Sequence, residues 1–88
     1  MSTELSVAAN QFYEDVKEVV GKHGGLAASA EYITKYNRLL ELAKEEEPKN
    51  KVLSSMSSVE TGRITYDDLL MLSGQVKGSI YLDPPTSV

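Results

Sequence analysis

Leu5, Ala8, Ala9, Phe12, Val16, Val19 and Val20 recur at intervals of three and four residues. That spacing returns each side chain to one side of a helix, and it commits residues 5–20 to an amphipathic α-helix. Glu14, Asp15, Lys17, Glu18 and Lys22 fall mostly outside the stripe. Ser2, Thr3 or Ser6 can cap its start, and Gly21 or Gly24 can turn the chain at its end. A chain that begins this way must find other apolar surface to cover the stripe.

The rest of the chain supplies that surface in the same form. Residues 26–44 read as a second helix, with Leu26, Ala30, Ile33, Tyr36 or Asn37, and Leu40 along one face. Tyr32, Tyr36, Leu39 and Ala43 widen the apolar arc, as expected of a helix that touches two neighbours. Ser29 is an alternative cap, which would leave residues 26–28 in the connection. Glu31 and Lys35 stand four apart in the favourable order. The acids of EEEPKN oppose the end of one helix dipole and favour the start of the next, placing a boundary at Glu46 or Glu47. Pro48 suits a first helical turn. A third helix is expected over residues 48–58, with Val52, Leu53, Met56 and Val59 inward. Its SSMSS half has poor helix propensity.

A fourth helix is expected over residues 66–73. Thr65 and Asp68 have the spacing of a capping box, and Ile64 and Leu69 that of a hydrophobic staple. Gly74 would end this helix. Beyond it, Ile80 to Leu82 read as a short extended segment that offers an edge for docking on the bundle or for pairing in a homodimer. Pro84 and Pro85 forbid regular structure further on. The reading is therefore all-α: a small three- to four-helix antiparallel bundle over residues 1–76, with an extended or frayed, non-helical segment over residues 77–88. The expected core is Leu5, Ala9, Phe12, Val16, Val19, Ile33, Tyr36, Leu40, Val52, Met56, Leu69 and Leu72.

Composition narrows the chemistry. With 88 residues the chain is one small domain, and it has no Cys and one His. No thiolate nucleophile or cysteine metal site can form, and zinc seldom accepts carboxylates alone. His23 lies in a Gly-rich turn and reads as a solvated residue near a helix C-terminus. GKHGG lacks the spacing of a phosphate-binding loop, and no nucleophile elbow is present. The acids at 14, 15 and 18 and at 45–47 read as solvated faces. The expectation is a chain without catalytic residues, cofactor or metal. No apolar run approaches the ~20 residues of a membrane span, and no secretory signal is visible, so the expected location is cytoplasmic with no membrane partner. Thirteen acids against nine bases, a net charge of −4, work against phosphate binding and against nucleic acid as a partner.

Two stretches carry family likenesses. Gly62 followed two residues later by Ile64 is similar to the sixth and eighth places of a calcium-binding hand loop. The ligand places would then be Ser57, Val59, Thr61, Arg63, Thr65 and Asp68, a set with a single carboxylate. Residues 65–81 resemble the helix-turn-helix of phage-repressor-type regulators, through Thr65, Leu69, Gly74 and Ile80. Leu70 and Gln75 depart from that pattern, and Gly78 would shorten the recognition helix. The resemblance implies DNA contact through Lys77, Ser79 and Tyr81.

Five tyrosines against one Phe and no Trp stand out. Tyrosine joins apolar area to a polar tip and is enriched at interfaces. Tyr32 and Tyr36, one helical turn apart, can form an aromatic ridge, although Tyr36 also falls on the core face. The leading expectation is a non-catalytic interaction or regulatory module that binds another protein through Tyr32, Tyr36 and Tyr81. The alternative is a degenerate helix-turn-helix DNA-binding regulator.

Overall fold

The computed structural model describes residues 3–81, with the side chains of residues 4–80. These residues form four helices: α1 (Thr3–His23), α2 (Ala30–Glu46), α3 (Lys51–Ser55) and α4 (Tyr66–Tyr81). The small all-α bundle expected from the periodicity is what forms. Each half of the chain is a helix–loop–helix unit, α1 with α2 and α3 with α4. The two connecting loops meet in an isolated antiparallel bridge between Ala27 and Thr65. Its hydrogen bonds run from the Ala28 amide to the Ile64 carbonyl (2.9 Å) and from the Tyr66 amide to the Leu26 carbonyl (3.0 Å). The Asp67 amide adds a third, to the Gly24 carbonyl. The starts of α2 and α4 are thereby held side by side.

The core follows from the stripes. Leu5, Ala9, Phe12 and Val16 of α1 are buried with Ile33, Tyr36, Leu39, Leu40 and Ala43 of α2. Leu53, Met56, Leu69, Val76 and Ile80 complete it from the second half of the chain. Each large aliphatic chain so buried contributes on the order of 1.5–3 kcal/mol relative to exposure. Nine of the twelve expected core residues are buried. Val52 is 51% exposed instead, and Val19 and Leu72 are only partly buried. In α3 the inward residue is Leu53, so Val52 falls on the opposite side.

Helix ends show where local chemistry decides and where packing overrides it. Ser29 is the cap of α2, and its hydroxyl accepts from the Tyr32 amide. Residues 26–28 thus belong to the connection. Thr65 and Asp68 form a reciprocal capping box: the Thr65 amide donates to Oδ2 of Asp68, and the Asp68 amide to Oγ1 of Thr65. The third helix is shorter than the expected 48–58. Asn50 caps it by accepting from the Leu53 amide, so it starts after Pro48. Met56 then takes an extended conformation, and the Ser-rich stretch beyond it is not helical.

The largest departure is α4, which does not end at Gly74 and runs on to Tyr81. A helical glycine costs about 1 kcal/mol relative to alanine. Continuing the helix buries Val76 and Ile80 completely or nearly so, in register with Leu69. That gain exceeds the cost of two glycines. Residues 77–81 are therefore helical rather than extended, and the expected Ile80 edge does not form. Residues 82–88 lie outside the described part of the chain.

Candidate functional site

The tyrosines proved to be differently placed from one another. Tyr36 is 0% exposed and belongs wholly to the core, so it presents no surface to a partner. The face it shares with Ile33 and Leu40 points at α1, where its ring centroid lies 6.3 Å from that of Phe12. Its hydroxyl is buried with no hydrogen-bond partner among the described residues, and burial pushes its pKa up to about 12. Tyr32 is half-buried. Its ring stands edge-on to Tyr66 at 5.5 Å and lies 6.4 Å from Phe12. Loss of water contact raises its pKa, and the negative charge of Asp15 adds to the effect. The Tyr66 hydroxyl accepts from the Ser29 amide (3.2 Å). The expected ridge is thus an aromatic cluster in which Tyr36 is fully buried while Tyr32 and Tyr66 stay partly exposed beside Phe12. The Tyr81 side chain lies outside the described residues.

Of the DNA-contact residues, Lys77 makes a side-chain contact and Ser79 a backbone one within the fold. A helix-turn-helix requires a turn after Gly74, and α4 is uninterrupted there. Lys77 lies over the ring of Tyr13, 4.4 Å from its centroid, a cation–π contact that draws the ammonium back toward α1. The carbonyl of Ser79 accepts from the side-chain amide of Asn50 (3.4 Å).

The hand-like loop keeps some of the geometry without the ligands. Gly62 has φ of +85°, the left-handed conformation that glycine tolerates best, and Ile64 packs against the core. The carboxylate of Asp68 and the hydroxyl of Thr65 are both spent on the capping box. Among the described residues no group of three or more His, Cys, Asp or Glu side chains converges as a metal ion requires. A hard divalent cation needs several charged oxygens, so the residues of this loop do not suit calcium.

Sequence reasoning missed a cleft between α1 and α2. Ala8 and Phe12 form one wall, Leu39 and Leu42 the other, and Lys35 and Arg38 stand at its lip. Its volume is about 210 Å³. It exists because the buried Phe12 and Leu39 line its depth while no described residue covers the small Ala8 or the 43% exposed Leu42. The spacing 35–38–42 along α2 puts the two cations and Leu42 on one edge. Lys35 is paired with Glu31 at 3.6 Å, an exposed contact, whereas Arg38 makes no ion pair among the described residues. The signal in the sequence was the width of the apolar arc on α2, which exceeds what its neighbours cover.

No described helix is long and apolar enough to cross a membrane. Compared with protein-family models, curated proteins and solved structures, the chain finds no match in any of the three.

Proposed function

We propose that this chain is a non-catalytic, regulatory module that acts by binding another protein. The observation that carries this reading is the apolar cleft between α1 and α2, open to solvent and bordered by Lys35 and Arg38. Isolated exposed apolar residues are ordinary on small proteins, but a concave apolar surface with charges at its lip is the usual form of a recognition site. Its about 210 Å³ is below the roughly 300–1,000 Å³ of small-molecule pockets, which favours side chains inserted from a macromolecule over a metabolite. The setting we infer is the cytoplasm, where a chain without cysteine needs no oxidising compartment for its fold.

The test is affinity purification of the tagged full chain from the cell that makes it, with the stoichiometry of recovered proteins quantified. One partner recovered near one-to-one, and lost when Leu42 is changed to Glu, is the expected result. Recovery of the chain alone, after cross-linking in the cell as well as without it, contradicts the reading.

A further inference from the structure

We infer that the α1–α2 cleft takes an acidic amphipathic helix of a partner protein, anchored by apolar side chains on Phe12, Leu39 and Leu42 and steered by Lys35 and Arg38. This rests on the protein-binding reading and names the occupant. Charge makes the choice. The chain carries thirteen acids and nine bases, yet the two ionic groups at this cleft are both cations. Arg38 has no ion-pair partner among the described residues, and the Lys35 pair with Glu31 is fully at the surface. Exposed pairs of that kind are worth on the order of 0–1 kcal/mol, so an incoming carboxylate can displace Glu31 at little cost. Arginine adds geometry, because its planar guanidinium donates two parallel hydrogen bonds to a carboxylate.

Shape indicates a helix. Lys35, Arg38 and Leu42 lie along two turns of α2, about 10 Å at 1.5 Å per residue. The opposite wall, Ala8 and Phe12, is a single turn of α1. A groove between two helices, walled by a small residue on one side, accepts a third helix that lays its own apolar stripe along the seam. The occupant defined by these walls has two apolar residues one turn apart and Asp or Glu on the flank facing α2. A second copy of this chain is the competing occupant, since α1 is itself amphipathic and acidic along Glu14, Asp15 and Glu18.

The probe is a display library of 14-residue helix-forming peptides, selected on the full chain. Peptides enriched on the native protein are then measured against Leu42→Glu, a Lys35→Glu/Arg38→Glu double variant, and Met71→Glu as a control on α4. All four positions are exposed, and circular dichroism with a thermal melt establishes that each variant folds. The expected peptides carry an apolar pair spaced three or four apart with flanking Asp or Glu. Leu42→Glu weakens them at least about tenfold, the double variant shifts preference to Lys or Arg, and Met71→Glu changes nothing. Peptides that bind Leu42→Glu unchanged overturn the cleft assignment while leaving the protein-binding reading intact. Enrichment of basic or uncharged sequences, or of none, overturns the acidic-helix assignment. A concentration-dependent mass in solution that Leu42→Glu abolishes identifies a second copy and overturns it as well.

Discussion

The side chain of Asn37 grips the backbone of Val59 with two hydrogen bonds, donating from Nδ2 to the Val59 carbonyl and accepting at Oδ1 from the Val59 amide, both at 2.9 Å. Val59 lies in the non-helical stretch after α3, which has no backbone ladder of its own. Asn37, on α2, does for this stretch what a neighbouring strand would do. The contact ties the loop before α4 to the middle of α2. Removing it leaves two partly buried backbone groups to find water.

Asn37→Ala is expected to lower stability by about 1–3 kcal/mol, the range for orphaning partly buried hydrogen-bonding groups. Asn37→Asp keeps the acceptor but sets a carboxylate oxygen against the Val59 carbonyl, so at neutral pH its loss should be at least as large as that of Asn37→Ala. Urea denaturation of the three proteins gives the comparison. Equal stability of Asn37→Ala and the native chain would show that the clamp is not formed in solution.

Tyr36 makes a pH-dependent prediction. Its hydroxyl titrates near 10 in the unfolded chain and near 12 in the folded one, because burial disfavours the phenolate. Below pH 10 both states hold the proton and the group adds no pH dependence. Between pH 10 and 12 only the unfolded state gives it up, so stability falls as pH rises, by on the order of 2–3 kcal/mol in total. Tyr32, also raised, adds to the same alkaline slope. Tyr36→Phe should remove most of the slope. It should also keep or slightly raise stability at pH 7, since the hydroxyl it deletes is buried without a partner among the described residues. Melts recorded from pH 7 to 12 decide this, and an unchanged alkaline slope in Tyr36→Phe would place the ring at the surface.

Two glycines should respond in opposite directions. At Gly78 a Cβ would meet nothing within 4 Å, so Gly78→Ala is expected to stabilise α4 by about 0.5–1 kcal/mol. At Gly24 a Cβ would come within 3.0 Å of the Val20 carbonyl oxygen and 2.9 Å of the Asp67 carboxylate. Gly24→Ala must shift backbone and should destabilise the chain by about 1–3 kcal/mol. Thermal melts of the pair read both signs, and destabilisation by Gly78→Ala would mean that this part of α4 is not helical.

Thr65 and Asp68 act as one unit. Thr65→Ala and Asp68→Ala should each cost about 1 kcal/mol, and the double substitution less than their sum, because each removes half of the same reciprocal box. A double-mutant cycle in urea measures the coupling. Strict additivity would indicate that the two side-chain-to-backbone bonds form independently rather than as one reciprocal box.

How legible this molecule was in its residues depended on whether the deciding force was local. The stripe from Leu5 to Val16 and the arc from Ile33 to Ala43 repeat at helical spacing, so α1, α2 and most of the core could be read directly. The Thr65–Asp68 box was equally readable, since capping uses side chains a few residues away, whereas Ser29 stood only as an alternative to a start at Leu26. The far half of α4 was not. Gly74 and Gly78 both argue for an end, and only packing of Val76 and Ile80 into the shared core outweighs them. The shortness of α3 came from the Asn50 cap, which competed with Pro48 for the start. The site was least readable. Periodicity identifies an apolar face without saying which part of it a neighbour covers. Tyr36 therefore could be read as surface or core, and the Phe12–Leu39–Leu42 cleft, a gap between helices, left only an unexplained width on α2 as its trace.

One continuous α4, sealed against the core through Val76 and Ile80, is what separates this fold from a helix-turn-helix. Amide hydrogen exchange followed by NMR tests it most directly. The amides of Val76, Lys77 and Ile80 are expected to be protected to a degree comparable with those in the turn around Ser73. Exchange of residues 75–80 at the rate of an unstructured chain, with protection ending at Gly74, would contradict it.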